Sequence, residues 1–285
     1  MYKNGFVKIG LIQLSVSKDI DANLRAAAES VEEAAKQGAK IICLPELYST
    51  IYFPQYIDIN KDIFTETIPG KSTDIFSHIA KKYGVVIIVP IYEKSADNKY
   101  FNTAVVINTD GFILGSYRKI HIPHDPCFYE QDYFDAVDDN YQLFKTEYCN
   151  FSVLICYDQW FPEAVRIVAL KGADLIFYPT AIGVIDGNNC KDGDWHNSWE
   201  TVMRGHSIAN GIHVAAVNRV GRENKLNFWG GSFVCNAFGK ILDRADFEKP
   251  QIIVSEIDLS HNDLIKDGWG FFRNRRPDTY SKLVE

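Results

Sequence analysis

Two rhythms of apolar positions alternate along this chain. Short apolar runs at Phe6–Leu14, Lys40–Leu44 and Val85–Ile91 lack the polar alternation of a half-wet strand, so they predict strands buried on both faces. Between them lie amphipathic stretches. Ala22–Lys36 is rich in Ala and Glu and closes at Gly38, which predicts a helix with a glycine stop, and Ser72–Tyr83 repeats the pattern before Gly84. Thr103–Asn108 and Ile113–Tyr117 flank Asp110-Gly111, a hairpin signal. The second half predicts strands at Phe151–Cys156, Leu175–Tyr178, His213–Val217, Ser232–Asn236 and Ile252–Glu256. It also predicts helices at Pro162–Lys171, with proline in the first turn, and Trp195–Asn210. Hairpins mixed with β-to-α crossovers imply mixed sheets covered by helices, in an α/β fold. No repeat or low-complexity linker divides the chain, so one domain over residues 1–285 is expected.

Composition narrows the function classes. The net charge of -7 argues against a nucleic-acid partner, which selects for a basic face. No apolar run approaches the roughly 18 residues of a membrane span. The opening segment MYKNGFVKIGLIQL passes straight into a strand pattern rather than a signal peptide's separate apolar stretch, so a cytoplasmic location is expected. Six scattered cysteines then read as reduced thiols, and the absence of a CxxC pair leaves a structural zinc site without support.

Three residues at strand ends carry candidate chemistry. Cys156 ends one strand and precedes a helix, where the helix dipole favours thiolate. Taken alone, a cysteine in an apolar strand is usually an inert core residue. Glu46 follows the strand KIICLP, a place more often held by a solvated loop acid. Lys119 stands in GSYRKIHIP, where an Arg-Lys pair usually marks wet surface. Together they supply a nucleophile, a base to take its proton and a cation to hold an oxyanion. Their spacing does not establish that they converge.

The blocks LPELY, YRKIHIP and ICYDQWFPEA resemble the Glu-Lys-Cys signatures of the nitrilase superfamily in the same chain order, and the resemblance runs from Val7 to Tyr280. The stretch CYDQWFPEAVRIVALKGADLIFYPTAIG and the ending GWGFFRNRRPDTY are similar in detail to the branch that hydrolyses N-carbamoylputrescine. The resemblance implies a four-layer αββα sandwich and a thiol amidohydrolase without cofactor or metal. In that reading Glu46 is the general base, Lys119 the oxyanion-side lysine, Cys156 the nucleophile and Glu130 a second glutamate beside them. The Tyr157 N–H is expected to complete the oxyanion hole, and Tyr157, Trp160, Thr180 and Asp186 to meet the substrate, a small molecule. Homo-oligomers are implied as well, with the tail of about 265–285 packing on the domain or a partner subunit.

Relatives that cleave N-carbamoyl amino acids tend to place arginines after the nucleophile to clamp a carboxylate. This chain has Gln159 and Trp160 there, which shifts weight toward a cationic or apolar tail. The glutamate that the polyamine branch carries after PTAIG is absent. Ile185 stands in its place with Asp186 beside it, so Asp186, or else Glu130 or Asp125, is the acid expected to serve a distal ammonium. Other signals are weaker. Pro69–Ser72 has the tail of a phosphate loop, but Thr65 stands where its first glycine belongs. His121 with His124, and His196 with Glu200, have ligand-like spacing without a complete metal motif. Asn150–Ser152 fits a glycosylation sequon, which matters only in a secreted protein. Cys127 is a rival thiol lacking a strand-to-helix elbow.

Overall fold

The computed structural model of the chain describes residues 5–138, 140–187 and 193–285. In the first half, β1 (Phe6–Gln13), α1 (Ile20–Lys36), β2 (Ile41–Cys43), α2 (Lys71–Tyr83), β3 (Val86–Lys94), β4 (Tyr100–Ile107) and β5 (Ile113–Arg118) follow in order. In the second come β6 (Phe144–Lys145), β7 (Asn150–Val153), α3 (Pro162–Leu170), β8 (Leu175–Thr180), β9 (Gly183–Ile185) and α4 (Trp195–Asn210). The chain continues through β10 (His213–Asn218), β11 (Val220–Glu223), β12 (Leu226–Trp229), β13 (Phe233–Cys235), β14 (Ile241–Arg244), β15 (Gln251–Asp258) and α5 (Ser260–Gly268). One six-stranded sheet runs β15-β1-β2-β3-β4-β5 and the other β14-β13-β10-β8-β7-β6. Each is parallel at its centre and antiparallel toward its edges.

Strand alternation explains the layering. Ile9, Leu11, Ile41, Cys43, Val86 and Ile88 join a core with Phe151, Val153, Leu175 and Phe177 of the other sheet. The alternate residues Ile12, Ile42, Ile87 and Val89 pack instead with Leu24, Ala27 and Val31 of α1 and Phe76 and Ile79 of α2. Apolar runs without polar alternation are what two covered faces require. The helices begin and end as their sequences dictate. The Asp19 side chain accepts from the Ala22 N–H to start α1, and Gly84 at φ +62 stops α2.

Two features depart from the expected pattern. The strand expected over Phe151–Cys156 stops at Val153, and Cys156 opens a 3-10 turn instead, because its φ of +43 breaks the pleat. A third, three-stranded antiparallel sheet, β11-β12-β9, had no place in the expected pattern. Its strands are only three or four residues long, too short for periodicity to reveal.

Candidate active site

Three strand ends of the two sheets meet in one buried cluster. Glu46 lies three residues past β2, Lys119 one residue past β5, and Cys156 three residues past β7. All three are buried. Lys119 Nζ donates to Glu46 Oε1 at 2.8 Å and to Glu130 Oε2 at 2.6 Å, so the second glutamate sits against the lysine. Asn102 Nδ2 donates to the same Glu46 oxygen at 2.7 Å. Glu46 Oε2 is buried without a partner among the described residues. Tyr52 donates its hydroxyl to Glu130 Oε1 at 2.6 Å.

Charge in this closed space shapes every group. Burial pushes the Cys156 thiol well up and Glu46 adds to that, while the Lys119 cation pulls the other way. Burial opposes the charge on Lys119, yet the Glu130 and Glu46 carboxylates outweigh it and hold the ammonium firmly protonated. Burial raises the Glu130 carboxyl to about 7, opposed by Lys119 and reinforced by Glu46. The thiol therefore rests neutral beside the Lys119 ammonium.

Asp158 builds the turn that presents the thiol. Its Oδ2 accepts from the Ile155 N–H and the Tyr117 hydroxyl, both at 2.7 Å. Its Oδ1 accepts from the His121 N–H at 3.0 Å and contacts His121 Nδ1 at 2.7 Å. One buried carboxylate thus ties the Cys156 turn to the segment carrying Lys119. His121 lies flat on Phe161, ring centres 3.8 Å apart, so it is a structural residue.

Cys156 opens into a cavity of about 470 Å³ with walls from Phe128, Tyr157, Trp160, Ile182, Ile185 and Trp195. Tyr157 and Trp160 line this cavity, and Thr180 and Asp186 do not. Thr180 is fully buried and donates to the Val217 carbonyl at 3.2 Å, a bond that links β8 to β10. Asp186 follows β9, whose last residue, Ile185, faces the cavity, and its own carboxylate pairs with Arg222 at the surface. The acids that do line the cavity among the described residues are Glu130 and Asp125. Glu130 is committed to Lys119 and Tyr52, while Asp125 is exposed and makes no ion pair among the described residues. Gln159 also lines it. Trp199 Nε1 donates to its Oε1 at 2.8 Å, which leaves the buried Nε2 without an acceptor among the described residues.

The weaker signals resolve into packing. Gly70 starts α2, Lys71 pairs with Asp21, and Ser72 bonds to Glu66 and Tyr48. His196 sits among Trp199, Trp229 and Phe247, and Glu200 pairs with Arg204 and Arg244. Cys127 is buried in the turn that the Asp125–Phe128 bridge closes and does not line the cavity. The five described cysteines are free. Sequence reasoning missed Tyr52, Asn102 and Asp158. Only Asp158, two residues past the thiol at a turn, carried a local signal, since aspartate there is suited to capping a backbone N–H.

Comparison with known proteins fits this geometry. The family model described as carbon-nitrogen hydrolase matches residues 8–266. N-carbamoylputrescine amidase of Solanum lycopersicum is 37% identical over 294 residues, covering 99% of this chain and 96% of that protein. Citrullinase of Francisella tularensis subsp. tularensis is 35% identical, covering 98% of both chains. The crystal structure of a carbon-nitrogen hydrolase from Helicobacter pylori G27 superposes with a TM-score of 0.93 at 35% identity over 99% of both chains.

Proposed function

This chain belongs to the carbon–nitrogen hydrolase family, and we propose that it cleaves N-carbamoylputrescine to putrescine, ammonia and carbon dioxide through Cys156. The observation that carries the chemistry is Glu46, with one oxygen fixed by Lys119 and Asn102 and the other buried and unclaimed. Oε2 takes the Cys156 proton as sulfur forms its bond to the ureido carbon. Charge then develops on the ureido oxygen. Lys119 has three N–H donors and spends two on the glutamates, which leaves a third to serve that oxyanion together with the Tyr157 N–H. As the C–N bond breaks, protonated Glu46 gives its proton to the leaving nitrogen. With ammonia gone, water deprotonated by the same carboxylate attacks the thioester-like carbon. The C–S bond breaks, Glu46 returns the proton to the Cys156 sulfur, and the carbamic acid released splits into putrescine and carbon dioxide. A raised thiol pKa fits this order, because the proton leaves only when a base is aimed at it.

The far end of the cavity supports a cationic tail. An ammonium is costly to desolvate without a counter-charge. Asp125 supplies one, and Trp160, Trp195 and Phe128 offer aromatic walls to a cation and its methylenes. Arginine is absent from positions 159 and 160. A second reading, a ureido amino acid of the citrulline kind, is favoured by Gln159, whose spare Nε2 donor suits a tail carboxylate. We further read the protein as a cytoplasmic homo-oligomer. Free thiols support the compartment, and the exposed Trp269, Phe271, Tyr280, Leu283 and Val284 of the tail support the assembly.

Ammonia release from N-carbamoylputrescine, citrulline and N-carbamoyl-β-alanine decides between the tails. The carbamoyl-amine is expected to lead N-carbamoyl-β-alanine by at least about 100-fold in kcat/KM, equivalent to about 2.7 kcal/mol of transition-state binding. Asp125→Asn is expected to shrink that lead through KM. A better rate on either carbamoyl amino acid overturns the polyamine reading and leaves the thiol hydrolase intact.

A further inference from the structure

Arg219 is a fully buried cation that no step of the chemistry above uses. It stands between β10 and β11, far in sequence from the base, yet its Nη2 donates to the carbonyls of Glu46 and Leu47, each at 2.8 Å. Both terminal nitrogens also lie 3.4 Å from the Thr50 carbonyl. Leu47 has a φ of +50, unusual for a leucine, and this left-handed turn brings two successive carbonyls onto one guanidinium nitrogen. Nη1 meets Glu223 Oε1 at 2.6 Å, and Glu223 Oε2 accepts the Tyr52 N–H at 2.6 Å.

These bonds close a circuit. Arg219 grips the backbone of the base, and Glu223 grips the backbone of Tyr52. Tyr52 in turn holds Glu130, Glu130 holds Lys119, and Lys119 returns to the Glu46 carboxylate. A buried ion pair is weak evidence for stability, since apolar residues of similar volume do as well. Its geometry is another matter. A guanidinium fork fixes direction in a way an ammonium does not.

We propose that Arg219 and Glu223 are positioning residues that aim Glu46 and Glu130 at the thiol and the lysine from behind. Neither touches substrate. The proposal rests on the hydrolase reading of Cys156, which fails separately if Cys156→Ala turns over.

The test uses the full-length enzyme, with folded fraction followed by circular dichroism and active sites counted by iodoacetamide labelling of Cys156. Arg219→Lys keeps the charge and loses the fork. It is expected to lower kcat per labelled site by about 10- to 100-fold, the scale of a small misplacement of a reacting group, with KM within about threefold. Glu223→Gln keeps the shape, and decides the matter if the lysine variant does not fold. It is expected to lower kcat at least about fivefold and to move a limb of the pH–kcat profile by about half a unit or more, since the charge behind the cluster has changed. A purely structural pair predicts a lower melting temperature with kcat per labelled site and pH profile unchanged. That result in whichever variant folds overturns the proposal.

Discussion

Glu46 and Glu130 share a single ammonium, and much of the site's behaviour follows from that imbalance. Replacing Glu46 by Gln keeps the bonds to Lys119 and Asn102 within reach but removes the proton acceptor. Turnover is expected to fall by several orders of magnitude, because base and nucleophile act as one unit. Lys119→Ala is expected to lose at least about 10²- to 10³-fold, the loss typical of one oxyanion donor. Either variant keeping more than a tenth of wild-type kcat, measured by ammonia release, would remove that residue from its role.

Glu130 makes a prediction about stability. Its carboxyl lies at about 7 in the folded protein against an ordinary 4.5, with burial the main cause. Between those values the folded state holds a proton that the unfolded chain has released. Its contribution to stability is therefore full below about 4.5 and is lost as pH rises through about 7. The melting temperature of wild type relative to Glu130→Gln should be higher at pH 5 than at pH 8. A flat or inverted difference in thermal unfolding contradicts the assignment.

At the scale of elements, the turn after β7 matters most. Asp158 accepts from Ile155, Tyr117 and His121, so it fixes both the strained Cys156 and the segment leading from Lys119. Asp158→Asn replaces one acceptor oxygen with a donor in a buried site where only donors arrive. A stability loss of about 1–3 kcal/mol is expected, together with slower iodoacetamide labelling of Cys156. Unchanged melting and labelling would show that the turn holds itself.

This element also marks where the sequence stopped being legible. The apolar run ending in Cys156 announced a strand, and its polar successors announced a turn. The position at which the pleat breaks depends on a backbone angle that no apolar pattern encodes. The place of Asp186 was illegible for a related reason. The alternation of β9 places Ile185 on the cavity side and Asp186 outward against Arg222, and three residues of strand are too few to read a face from. The grip of Arg219 on the base lay beyond any local reading, because the carbonyls it holds are more than 160 residues away.

Across the whole molecule, the sandwich explains why Glu46, Lys119 and Cys156 converge. The first sheet supplies the base and the lysine, the second supplies the thiol, and the inner faces press the two sheets together. Residues 73 and 110 positions apart in sequence thus meet in one buried cluster. The order of strands and helices was legible from apolar runs and stops, whereas the contact between sheets is a long-range fact that emerges only on folding.

The hydrolase mechanism depends on Cys156 carrying the substrate's carbon. Rapid acid quench during turnover of N-carbamoylputrescine, followed by mass mapping of cysteine peptides, measures this directly. That mechanism predicts a carbamoyl-type adduct on the Cys156 peptide and on no other cysteine. It also predicts no ammonia release from Cys156→Ala, while Cys127→Ala keeps most activity. Full turnover by Cys156→Ala, or an adduct on a different cysteine, would contradict it.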